Sequence, residues 1–205
     1  MPAVKTHTED LATQLVDEAG RILSAEGAAA LSLRRLAAAT GTSTMAVYTL
    51  FGDKQGLIAA MYRAGFERLG AALESAPDPA DDPLTALAKL GLAYRQTALA
   101  NPHLYDLMFG RPVATYAPDQ EAKDVADAAY RPLVDAVQRC LDAGALVANP
   151  REGAAERVAF YLWAVSHGMV SLELAGQLPD ELEVRDALYR DGLVLSSAPF
   201  LPAVS

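Results

Sequence analysis

The 205-residue sequence predicts an all-α protein. Three observations carry that expectation. Alanine, the strongest helix former, is abundant throughout. The apolar/polar alternation that marks a half-buried strand is scarce, and apolar residues recur instead at three- and four-residue spacing between glycines and prolines. A content of 52% hydrophobic and 21% charged residues is that of a folded chain rather than a disordered one. The length allows one domain or a small domain joined to a larger one.

The first helix is expected over about residues 8–26, with Thr6 and Glu9 as a capping box and Gly27 as its stop. Leu11, Leu15, Ile22 and Leu23 give it an apolar stripe. Ser32 caps a second helix, a third covers 43–50, and Asp53 caps a fourth that runs from Lys54 to about Leu73. Pro77, Pro79 and Pro83, interleaved with Asp78, Asp81 and Asp82, form a solvated boundary. A fifth helix is expected over 84–100, ended by Asn101-Pro102, and a short sixth over 103–109. After a loop holding Arg111-Pro112 and Ala117-Pro118, a seventh covers 119–143, with Pro132 as a kink and Gly144 beyond its end. Asn149-Pro150 opens an eighth helix that ends near Gly176, and a ninth covers 182–196. The expected domains are 7–67 and 68–205.

Residues 33–54, LRRLAAATGTSTMAVYTLFGDK, carry the most specific pattern. Ala37, Gly41 and Val47 stand four and six residues apart, as two short helices crossing steeply require. The small Ala37 lies where the helices approach, Gly41 supplies a positive φ in the turn, and Val47 fills the angle between them. Leu36 and Leu50 complete the wedge. Such a helix-turn-helix places its second helix in the major groove of DNA. Thr42, Ser43, Thr44, Met45 and Thr49 are then candidates to face bases, with Ser32, Tyr48 and Lys54 on phosphates. Of Arg34 and Arg35 no more than one faces the backbone, and Arg34 is the candidate. Lys54 beside a helix N-terminus suits an anion.

Residues 8–66 resemble the DNA-binding domain of the TetR family of bacterial transcriptional regulators. The resemblance lies in SLRRLAAATGTSTMAVYTLFGDKQGLI: Ser32, Leu36-Ala37 and then Gly41, Val47-Tyr48, Phe51, Asp53-Lys54 and Leu57 fall in register. It implies three helices for DNA binding and a fourth leading to a variable helical regulatory domain. Thr42 stands where the family usually has an apolar residue, and Met45 where glycine or alanine is usual, so an operator sequence does not carry over. The segment from Trp163 to His167-Gly168, followed by Leu172-Glu173-Leu174, resembles the tryptophan-histidine-glycine subgroup of TetR-type regulatory domains.

The formal net charge of −9 opposes DNA binding at long range, but phosphates are met locally. Arg34, Arg35, Lys54 and Arg63 lie within 27–65, where Asp53 is the only acid. The acidic excess lies elsewhere, including 78–82 and 180–183. A cytoplasmic protein is expected: the start lacks the apolar stretch of a signal peptide, and the lone Cys140 suits a reducing compartment as a core residue. The longest uncharged helical run, 158–172, falls short of the roughly 20 residues of a membrane span. No cysteine or histidine spacing suits zinc, and no cofactor is expected.

Projected at about 100° per residue, the eighth helix is apolar nearly all round. Val158, Leu162, Val165, Met169 and Leu172 form one face, and Ala159, Trp163, Val170 and Leu174 another. Ala164, Gly168, Ser171 and Ala175 form a small-residue strip suited to a partner helix. That arrangement fits a two-fold homodimer through the last two helices; the alternative is the central helix of a monomeric bundle. Phe66, Tyr94, Tyr105, Met108, Phe109, Tyr130, Trp163 and His167 are candidate ligand contacts, and equally candidate core residues.

The expected function is a dimeric transcriptional regulator, a repressor that a small, mostly apolar effector releases from a pseudo-palindromic DNA operator. The effector would act by moving the fourth helix. Two alternatives stand beside it: a ligand-independent or architectural DNA binder, and a helical enzyme. Ser166-His167 with Glu173 hints at acid–base chemistry. The sequence has no nucleophile elbow, glycine-rich phosphate loop or paired acids to support it, and no enzyme is expected.

Overall fold

The computed structural model describes residues 3–110, 116–149 and 153–202, with the first helix's side chains described from Asp10 onward. Among these residues there are nine α-helices and no strand. They are α1 (Ala3–Glu26), α2 (Leu33–Thr40), α3 (Thr44–Phe51), α4 (Lys54–Ser75), α5 (Pro83–Ala100), α6 (Pro102–Phe109), α7 (Gln120–Asp142), α8 (Ala154–Leu174) and α9 (Leu182–Ser197), followed by a 3-10 turn (Ala198–Phe200). Among the described residues no helix is long and apolar enough to cross a membrane.

Two helix starts differ from expectation. The backbone is already helical at Ala3, so Thr6 lies inside α1; an N-cap residue needs a non-helical backbone, and Thr6 with Glu9 therefore does not open the helix. The α8 helix begins at Ala154, directly after a left-handed Gly153 (φ 69°). Pro150 and the Arg111-Pro112 loop lie outside the described residues. Pro132 lies within α7.

The helices form two compact units. The first combines the chain up to Glu67 with Asn101–Ala126. Its core buries Leu15, Val16, Ala19 and Ile22 of α1 against Leu33, Leu36 and Ala37 of α2, Val47 of α3, Leu57, Ile58 and Met61 of α4, and Leu104 and Leu107 of α6. Leu11, Leu23 and Leu50 pack around it, half-buried. Gly20 gives α6 its seat on α1: a Cβ there would lie 1.9 Å from the His103 ring.

The second unit holds Arg68–Ala100 and Asp127–Ser205. Val137, Cys140, Leu146, Ala155, Val158, Ala159 and Leu162 make one of its cores. Cys140 is fully buried, and burial pushes its thiol pKa up. A buried ion cluster ties three helices together. Arg95 of α5 donates from Nε and Nη2 to Glu173 of α8 at 2.7 and 2.8 Å, and from Nη1 to Asp186 of α9 at 2.6 Å. These carboxylates, Glu173 foremost, hold the guanidinium above its ordinary pKa. Its carbon lies 5.2 Å from the Tyr189 ring centre, and the Tyr189 hydroxyl donates to the Gly91 carbonyl at 2.9 Å.

The core face of α8 draws on both expected apolar faces and adds polar residues to them. It consists of Ala155, Val158, Ala159, Leu162, Ser166, Val170 and Glu173, so two polar residues lie inward because Arg95 is there to receive one of them. Leu172, on an expected apolar face, is half exposed at 50%, and Val165 and Met169 are half-buried. Of the small-residue strip, Ala164 and Ala175 are exposed while Gly168 and Ser171 are half-buried. A Cβ on Gly168 would meet nothing within 4 Å.

Candidate nucleic-acid interface

Two capped helices and a left-handed glycine build the candidate reading head. Ser32 opens α2 by accepting the Arg35 backbone N–H at 3.2 Å. Gly41 ends it with φ 67°, and the Thr42 N–H bonds to the Ala37 carbonyl at 3.0 Å. Nothing crowds a Cβ at Gly41, so backbone conformation, not space, is what requires glycine there. Ser43 then opens α3, its hydroxyl accepting the Ala46 N–H at 3.1 Å. Ala37 and Val47 meet in the core, as the wedge predicts.

Burial of Val47 fixes the rotation of α3 about its axis. The residues that step away from it by helical spacing, Met45, Tyr48 and Thr49, form one outward stripe. Met45 is 74% exposed and Tyr48 51%. The Thr49 hydroxyl donates to the Met45 carbonyl at 2.9 Å and keeps its lone pairs as acceptors. Ser43 is exposed, whereas Thr42 and Thr44 are half-buried on the flanks. The stripe therefore presents a thioether, a phenol and a hydroxyl outward.

The cations around this stripe are not equivalent. Arg34 is exposed on α2. Arg35 is gripped by Glu26, whose two oxygens accept from both of its terminal nitrogens. That pairing lowers the Glu26 carboxyl pKa and raises that of the guanidinium. The Lys54 ammonium donates to the Ala28 carbonyl in the α1–α2 loop, which fixes its stem and leaves two further N–H donors. Asp53 caps α4 through the Gly56 N–H at 2.9 Å. Gly56 is required there by space, since a Cβ would lie 1.9 Å from the Phe51 carbonyl oxygen.

The eight candidate ligand contacts are shared between the two units. In the first unit, Phe66 lies 5.4 Å from Phe109, which lies 5.0 Å from Tyr105 (ring centres), and Met108 packs where a Cβ on Gly65 would be. Tyr62 and Tyr116 extend this cluster, with centres 5.7 Å apart. The Tyr116 hydroxyl is buried with no hydrogen-bond partner, and burial pushes its pKa up. In the second unit, Tyr130 and Trp163 have ring centres 5.9 Å apart, and Trp163 and His167 5.7 Å. The Tyr94 hydroxyl and His167 Nδ1 lie 3.2 Å apart, and burial holds the imidazole pKa below its ordinary value.

Sequence reasoning missed Glu26, Gly56, Tyr62 and Tyr116. Neither spacing nor type marks Glu26 or Gly56, since Glu26 acts on a residue of another helix and Gly56 on the turn that precedes it; Tyr62, one helical turn before Phe66, and Tyr116 were open to the same aromatic criterion as the other candidates.

Residues 15–61 match the family described as bacterial regulatory proteins, tetR family. Residues 87–194, over half of the chain, match the tetracyclin repressor-like C-terminal domain. An HTH-type transcriptional regulator of Mycobacterium tuberculosis, Rv1816, is 26% identical across 82% of each chain. The crystal structure of the regulatory protein SCO4313 superposes with a TM-score of 0.77 at 27% identity, covering 95% of this chain and 98% of that one. The TetR-family regulator PfmR of Thermus thermophilus shares the fold, with a TM-score of 0.70 at 21% identity, covering 90% of this chain and 97% of that one. With the helix-turn-helix geometry above, these matches identify the chain as a member of the TetR family, a DNA-binding transcriptional regulator and not an enzyme.

Proposed function

We propose that this regulator is a cytoplasmic, homodimeric repressor, released from a pseudo-palindromic operator by a small, mostly apolar effector. The observation that carries the DNA reading is the outward stripe of α3, set opposite fully buried Val47. Each subunit lays α3 in the major groove of one half-site. Met45 and Thr49, with Ser43, Thr42 and Thr44 beside them, face bases. Ser32, Arg34, Tyr48 and Lys54 hold register on phosphates. Met45 gives the head an apolar contact of the kind that suits a thymine methyl.

The dimer reading is supported by apolar surface on the last two helices. Phe160, Tyr161 and Leu172 of α8 and Leu188, Val194 and Leu195 of α9 are exposed, beside the open strip at Ala164 and Gly168. Scattered apolar residues are normal on a surface, but a run along two packed helices calls for a cover. The effector reading is supported by the aromatic clusters. Tyr116 has a buried hydroxyl without a partner, and His167 is held neutral beside Tyr94. Such sites suit an apolar body with one or two hydrogen-bonding groups. The effector shifts α4, the helix continuous from the first unit into the second, and so changes the separation of the two reading heads. It releases DNA only if it prefers the non-binding form.

Selection of bound duplexes from a random pool, with and without metabolite extract, tests these claims together. The expected result is an inverted repeat whose recovery falls when extract is present. An enriched sequence indifferent to every extract would leave a ligand-independent DNA binder. A single, unrepeated half-site would remove the dimer.

A further inference from the structure

We propose that Glu26, the last residue of α1, sets the DNA affinity of the reading head by withholding Arg35 from the phosphates. This rests on the placement of α2 and α3 against the duplex argued above. Leu33, Leu36 and Ala37 turn α2 inward, which leaves Arg34 and Arg35 exposed, and Arg35 sits in the first turn beside Ser32. A first helical turn pointing at DNA is where a guanidinium takes a phosphate, two-pronged, through its terminal nitrogens. In this structure both of those nitrogens are occupied by one carboxylate. Nη1 reaches Glu26 Oε2 at 2.9 Å, and Nη2 is bonded to Oε1.

The clamp is at the surface, with side chains 43% and 48% exposed, so it is not needed to seal the core and a competing anion can reach it. Glu26 also stands outside the stretch 27–65, whose only acid is Asp53. It thus brings a negative charge to a cationic patch that otherwise has one. Glu18 also acts on Arg35, but its carboxylate already pairs with Arg21. Removing Glu26 therefore leaves Arg35 without a close carboxylate, next to Arg34. Glu26 is a positioning residue: it touches no DNA and acts through the guanidinium it holds. Its consequence is selective, since Arg34 remains the working contact on α2 and Arg35 is kept in reserve.

Counterion release gives the size of the effect. One more neutralised phosphate steepens the dependence of log K on log salt by about 0.9, which adds a loss of about 3.5-fold in affinity between roughly 50 and 200 mM salt. The test uses the full chain, a fluorescent random-sequence duplex and anisotropy titrations across that salt range. The variants are Glu26→Gln, Arg35→Gln and the double variant, with circular dichroism as a check of folding. Glu26→Gln should bind about tenfold more tightly at the low-salt end with the steeper slope. Arg35→Gln should keep the original slope, and the double variant should return to it. The proposal is overturned if Arg35→Gln alone flattens the slope, because Arg35 would already be on a phosphate. It is equally overturned if the double variant stays as tight as Glu26→Gln, which would assign the effect to repulsion by Glu26 itself. Weaker binding of Glu26→Gln at an unchanged slope would overturn it too, making the pair a structural staple. If the unsubstituted chain binds no duplex at low salt, the interface placement fails together with the clamp.

Discussion

Replacing Arg95 by methionine should cost this protein more than any surface charge it carries, and the structure says why. The Glu173 side chain is only 3% exposed and receives two of the guanidinium's hydrogen bonds, whereas Asp186 is 45% exposed and receives one. Without Arg95, Glu173 is a buried carboxylate with its cation gone, a situation that costs about 3–5 kcal/mol. Losing the Asp186 contact alone removes a largely hydrated partner, for about 0–1 kcal/mol. For a chain of this length each kcal/mol lowers Tm by about 2–4 °C. Arg95→Met should therefore lower Tm by roughly 6–20 °C, and Asp186→Asn by no more than about 4 °C. Thermal unfolding followed by circular dichroism at fixed protein concentration measures both. A second signature separates charge from packing. The double variant Arg95→Met with Glu173→Leu should recover most of the loss. A Tm within about 2 °C of the parent for Arg95→Met, or equal losses for Arg95→Met and Asp186→Asn, refutes the reasoning.

Four further outcomes are expected. Lys54→Ala should weaken binding to all duplexes alike and flatten the salt slope by about one, while Thr44→Ala should shift preference among operator variants; an unchanged slope takes Lys54 off the phosphate, and uniform weakening moves Thr44 to the backbone. Gly168→Leu should leave the circular dichroism of the subunit intact, because its Cβ meets nothing within 4 Å, and yet give monomer mass by light scattering; an intact dimer removes the small-residue strip from the interface. His167 has a pKa depressed by burial, so the unfolded chain binds its proton more readily. Its contribution to stability is complete above the ordinary value near 6.5 and is lost as pH falls through the folded value. His167→Gln should flatten the Tm profile over that window, and a profile identical to the parent would show the ring already hydrated.

Much of the fold could be read from residues whose effect is local. Gly41 marks the turn because a positive φ is a property of that position alone, and Ser32 and Ser43 mark helix starts because their hydroxyls reach only three residues ahead. The errors fall where a distant partner decides. Periodicity sorted α8 by apolarity and passed over Glu173, which the protein buries because Arg95, 78 residues earlier, neutralises it there. An unpaired glutamate belongs on the surface, and no count along α8 contains the information that this one is paired. The aromatic candidates follow a related rule: residue type identifies a ring that wants burial, but not which of two units will bury it.

The same distinction governs the interface. Its shape follows from short-range rules, but the distribution of its charge does not. Counting along the chain gives four cations to one acid over 27–65 and hence a basic face on an acidic body. Folding rewrites that count, because Glu26 lies one residue before the stretch and commits Arg35, while the Ala28 carbonyl engages Lys54. The effect of the two contacts differs in kind. A carboxylate cancels the charge it holds, so Arg35 contributes little field toward a phosphate until Glu26 lets go. A carbonyl leaves the ammonium's charge intact and only restrains its position, so Lys54 stays attractive to DNA with less entropy left to lose on binding. Affinity in this head is thus set by which partner each cation has in the free protein, not by how many cations there are. Salt titration of single variants is therefore the measurement that reads the interface, and total charge is not.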